Sequence, residues 1–175
     1  MTTDVFARVL LTIFREVVEG APDPATRTYM LNRGDPGLLA SIERLSAEAA
    51  SATADGGSSI AAHVDHLRYG FHLLNQWAAG TPVPWKDTDW SASWARNTVS
   101  EEEWRTLRDA LARETAAWME VLASGREVSE LEAGWISGSV AHVAYHLGAI
   151  RQIDRAARGP TAEDERQAEV ALGKR

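Results

Sequence analysis

The 175-residue chain contains no cysteine. That excludes disulfides, thiolate metal ligands and a cysteine nucleophile, and it fits a reducing, cytoplasmic compartment. No apolar run reaches the length of a transmembrane helix. The N-terminal MTTDVFARVLLTIFREV mixes acids and bases among its apolar residues, so it reads as an amphipathic helix rather than a signal peptide. No stretch alternates cleanly enough for a strand, and there are no repeats or low-complexity tracts. A basic stripe is missing as well: the net charge is −7. Arg151, Arg155 and Arg158 suit the end of a helix better than a phosphate track. No nucleic-acid partner and no membrane partner are therefore expected.

What is present is helical periodicity, in a chain long enough for one domain with a real core. Five segments are predicted. The first covers 3–19, with Val5, Val9, Phe14 and Val17 among its apolar positions, and Gly20, Pro22 and Pro24 end it. GDPG (34–37) starts a second segment that runs to about 51, and TADGGSS (53–59) is a turn cluster. The third covers about 59–79 from a serine cap, and Ile60, Val64, Leu67, Phe71 and Leu74 give it a 4-3-4-3 seam. The fourth starts at Ser100, where Ser100 and Glu103 form a capping box and Val99 and Trp104 a hydrophobic staple. Trp104, Leu107, Leu111, Trp118 and Leu122 make its stripe. The last starts near Ser137 or Ser139 and runs to about 158, where Gly159-Pro160 stops it. Amphipathic helices without a sheet imply an all-α helical bundle over residues 1–160, followed by a polar tail, 161–175.

Only five histidines occur, and all of them fall on two of these helices. His142 and His146 are four apart, so they project from one face, at the edge of the arc buried by Val143, Leu147 and Ile150. His63 and His66 sit beside the seam of the third segment. Two neighbouring helices then offer three imidazoles, the donor set of a catalytic zinc with an open position; imidazole also suits nickel, iron and copper. By helical angle His63 lies nearer the centre of the apolar arc than His66. His72 is on another face. Glu114 falls inside the fourth stripe and is the candidate catalytic group: it would accept a hydrogen bond from a ligand histidine or act as proton acceptor near a metal. Against this, it reads as a stripe-edge glutamate that reaches water. Asp65 reads as a surface charge. Gly148 and Gly70 read as close-packing positions. Residues 81–99 form a long loop that carries Trp85, Trp90 and Trp94, placed to roof a metal cavity or to cover a dimer surface.

Ser59 followed by His66, and then His142-Val-Ala-Tyr-His146-Leu-Gly-Ala-Ile150, resembles the DinB/YfiT-like superfamily over residues 1–158. The resemblance implies a four-helix bundle, commonly up-down-down-up; the helical segment at 36–51 is additional to it. It selects His66, by its distance from the cap, together with His142 and His146 as ligands of a divalent metal (Zn, Ni or Fe), with His63 the alternative to His66. It further implies a metal-dependent enzyme acting on a small-molecule substrate. That enzyme would be a thiol-dependent S-transferase using a low-molecular-weight thiol, or a metal-assisted hydrolase. Leu147-Gly148-Ala149 stands where many relatives carry R-G-Q, so no role of that glutamine carries over. The alternative function is a non-catalytic stress-related binding or dimerisation bundle with a structural metal or none. The apolar stripes of the first segment and of 36–51 exceed what a four-helix core needs, so a homodimer is expected.

Overall fold

In the computed structural model, which describes residues 3–21, 23 and 27–171, every regular element is helical and no strand occurs among the described residues. Pro22, Pro24 and the last four residues of the polar tail lie outside them. Thr3–Glu19 forms α1. Its Leu10, Phe14, Val17 and Val18 are buried, whereas Val5 and Val9 stay exposed, so the buried stripe is confined to its C-terminal half. Gly20 then takes a left-handed backbone (φ +85°), and Gly37 does the same (φ +72°). The two glycines press backbone to backbone, so a Cβ on either would collide with the other strand of chain.

The expected single helix to residue 51 is two: α2, Gly37–Glu43, and α3, Ala47–Ser51. The break has a cause in hydrogen bonding. The Trp104 indole donates to the Leu45 carbonyl at 2.8 Å, and the Ser46 side chain accepts from the Ala49 amide instead. Ile60–Ala78 forms α4, with Ser59 as its cap accepting from the Ala62 amide. Glu101–Ala123 forms α5, whose Ser100–Glu103 capping box is complete. Val99 and Trp104 both bury beside it.

The last long helix, α6, spans Glu130–Ile153 and starts seven to nine residues before the predicted serines, at a second capping box made by Ser129 and Glu132. It also stops earlier than expected. Asp154 turns extended (φ −130°, ψ 126°) and caps a short 3-10 turn, Arg155–Ala157. Part of the polar tail is helical, as α7, Ala162–Ala171.

α4 packs on α5 and α6, and α1 packs on the same two helices from elsewhere, with α2 against α1. The core lies among these helices: Phe14, Leu38, Ile60, Leu67, Trp104, Leu111, Trp118 and Ile150 are essentially inaccessible. The contact of α4 with α6 matters most for function, because it faces the two histidine-bearing stretches toward each other. The 81–99 loop is tied across them. Arg96 and Arg68 donate to opposite oxygens of the Asp65 carboxylate at 2.9 and 2.7 Å, and Asn97 accepts from the Ser59 amide at 3.0 Å. Asp65 is therefore a buried tether, 6% exposed, rather than a surface charge.

Candidate metal centre

α4 supplies His63 and His66, α6 supplies His142 and His146, and all four rings meet. His142 Nε2 lies 2.8 Å from His146 Nε2 and 3.2 Å from His66 Nε2. One ligand nitrogen from each of His66, His142 and His146 falls within 4.8 Å of the others. A ring nitrogen has one in-plane hydrogen or one lone pair. His142 Nε2 therefore cannot satisfy both neighbours by hydrogen bonding. Nitrogens bound to a tetrahedral zinc at about 2.0–2.1 Å sit roughly 3.3 Å apart, close to the observed separations. The donor set thus fits a divalent cation.

An outer nitrogen fixes the tautomer of His66. Ser93 donates its hydroxyl hydrogen to the Trp90 carbonyl at 2.7 Å, which leaves its oxygen to accept from His66 Nδ1 at 2.8 Å. With the proton on Nδ1, the Nε2 lone pair of His66 is free to coordinate. His146 Nδ1 lies 2.8 Å from His63 Nδ1. His63 is therefore placed behind His146, as its hydrogen-bond partner, and not in the converging trio. The Trp94 ring stacks on His66, with centroids 4.3 Å apart at 23°. Trp90 lies 5.7 Å from the same ring. The loop therefore roofs the histidines.

Burial, then the neighbouring His142 and His63, lowers the His66 pKa to about 4, against an upward pull from Asp65. Burial and the other three histidines bring His146 to about 3. Burial also lowers His63 and His142. The rings are neutral at pH 7, the state a metal requires.

Beside this cluster, between α4, α6 and the tryptophan loop, lies a cavity of about 340 Å³. His142 is at its edge. Trp85, Trp90 and Trp135 form walls, and Gly70, Gly134 and Gly138 open its floor. Gly70 is therefore not a close-packing position, and Gly148 is not one either: a Cβ on each would meet nothing within 4 Å.

Glu114 sits apart from the cluster. It accepts from Asn75 Nδ2 at 2.7 Å and pairs with His72 Nδ1 at 3.0 Å, partly buried between α4 and α5. Its partner histidine is His72 rather than a member of the trio. Ser93 was missed by sequence reasoning. Nothing in its local pattern signals a partner 27 residues away, because the loop carries no period. No family model matches this chain, and neither does any curated protein or solved structure.

Proposed function

We propose that this chain is a metal-dependent enzyme of the DinB/YfiT-like kind, its four long helices forming the bundle and His66, His142 and His146 holding one zinc, nickel or iron ion. The observation that carries the reading is the convergence of ring nitrogens from three neutral histidines, two of which, His66 and His146, have partners on their outer nitrogens. Bound there, a divalent ion polarises a substrate or lowers the pKa of water or a thiol. Ser93 holds the tautomer of His66, and His63 Nδ1 pairs with His146 Nδ1. Trp94 keeps bulk water off the cluster. His142 borders the cavity, which gives a small molecule access to the centre.

The class of reaction, thiol-dependent S-transfer or hydrolysis, follows from the resemblance alone. A non-catalytic structural centre is the competing reading. Three protein donors beside a cavity favour catalysis, since structural zinc sites close with four. Among the described residues the group holds three members. We also propose a homodimer through the exposed half of α1.

Elemental analysis of untagged protein tests the centre. One divalent metal per chain is expected in the wild type and none in the His142→Ala/His146→Ala variant. Full stoichiometry in that variant would defeat the proposal.

A further inference from the structure

The cavity beside His142 is lined without a single charged side chain. Its polar lining groups are Ser139, His142 and the indole N–H groups of three tryptophans, all uncharged at pH 7, and Ser139 is committed elsewhere. Its hydroxyl accepts from the Trp118 indole at 3.0 Å and donates to the Ile136 carbonyl at 2.7 Å. A charged molecule entering here would lose water and find no side chain of opposite charge. An apolar one would meet Phe71, Leu67 and three tryptophans. Trp85 meets Trp135 edge to face, with centroids 4.5 Å apart at 77°. Trp135 in turn meets Trp77 at 5.4 Å, so the wall is braced from behind.

The floor needs a separate explanation. Gly70, Gly134 and Gly138 all lie inside helices, where glycine is less stable than alanine. None has a positive φ, and a Cβ on any of them would meet nothing within 4 Å. Neither backbone conformation nor packing requires glycine at these positions. Glycine there leaves the floor of the cavity free of side chains. About 340 Å³ is at the small end of small-molecule sites, about 300–1,000 Å³.

We propose that the cavity binds an uncharged, flat-ring compound, aromatic or fused-ring, lying on the glycine floor between the tryptophans, with one polar substituent turned toward His142. The placement of that substituent rests on the metal reading above; the ring site does not.

Calorimetric titration of the full-length protein with indole tests it, in EDTA-treated and zinc-reloaded states. One saturable site per chain is expected in both. In the zinc-free state indole-3-acetate is expected to bind at least tenfold more weakly, a comparison made there so that its carboxylate has no metal to bind. Gly138→Leu, with an unchanged circular dichroism spectrum, is expected to weaken indole at least tenfold. Absence of saturable indole binding, equal or tighter binding of the anion, or an unaffected Gly138→Leu variant would overturn the proposal. If that variant does not fold, the indole and anion comparison on the wild type decides alone. Zinc uptake without indole binding defeats the ring site and leaves the metal centre; indole binding without zinc uptake does the reverse.

Discussion

His66 can coordinate through Nε2 only with its proton on Nδ1, and Ser93 decides that. The Ser93 hydroxyl has given its own hydrogen to the Trp90 carbonyl, so it can only accept from the ring. Ser93→Ala is expected to weaken metal binding about 10–100-fold, as loss of an outer partner commonly does, while Ser93→Thr keeps it. A competition titration with a zinc chelator measures this, and an alanine variant of wild-type affinity would remove Ser93 from the site. The same cluster sets a pH dependence. His66 and His146 have folded pKa values of about 4 and about 3, below the ordinary 6.5. The unfolded chain takes up these protons at higher pH than the folded one. Stability from this source is complete above pH 6.5 and is lost as pH falls from 6.5 toward 4. The coupled, partly solvated rings are expected to give a slope on the order of one proton, about 1 kcal/mol per pH unit. Urea unfolding of metal-free protein between pH 7 and 4.5 reads it; a flat profile contradicts it. Much of this cluster was legible beforehand, because i, i+4 spacing and an apolar flank place His142 and His146 from sequence alone. The choice between His63 and His66 was not legible from helical angle. The rotation of α4 against α6 decides it, and that is a property of two helices together.

Elements with a plain apolar period were the easiest to read. α5 has its predicted seam buried, α4 has its own buried except for the partly exposed Leu74, and both start at their predicted caps. α6 was read too short. Its first turns, Glu130–Gly138, carry Gly134, Trp135 and Gly138 on a face that borders the cavity rather than the core. Residues that serve a cavity interrupt the apolar period on which the prediction rests. The start signal was nonetheless in the chain, since Ser129 and Glu132 repeat the spacing of Ser100 and Glu103. The break between α2 and α3 was not legible, because it depends on an indole 59 residues away. The Ser129 capping box leads to an element-scale prediction. Ser129→Ala is expected to lower Tm by about 2–4 °C, the usual effect of losing a cap in a chain of this size. Amide exchange over 131–136 should quicken, while that over 146–152 should not. Uniform acceleration along α6 would mean that the cap supports the whole helix rather than its first turns.

At the scale of the molecule, the question is how much apolar surface the chain covers by itself. Of the two stripes expected to drive a homodimer, it covers one completely: Leu38, Ile42, Ala47 and Ala50 are buried. On α1 the burial of Phe14, Val17 and Val18 leaves Val5 and Val9, 36% and 39% exposed. They are four residues apart and so share a face. The partly buried Phe6 lies between them in sequence and helps to line a cleft with Leu10, Val121 and Val128. Two copies related by a two-fold axis can set this half of α1 against its counterpart, the commonest closed arrangement of soluble proteins. The proposed dimer is therefore confined to α1, and segment 36–51 contributes nothing to it. Light scattering at micromolar concentration is expected to give twice 19.1 kDa. Val5→Asp/Val9→Asp should return the mass to that of one chain without changing zinc stoichiometry, because the histidines lie on α4 and α6. A wild-type mass of one chain that persists as concentration rises would eliminate the dimer. A dimer that survives the double substitution would place the interface elsewhere, and exposed Trp90, Leu131 and Tyr145 would be the next positions to charge.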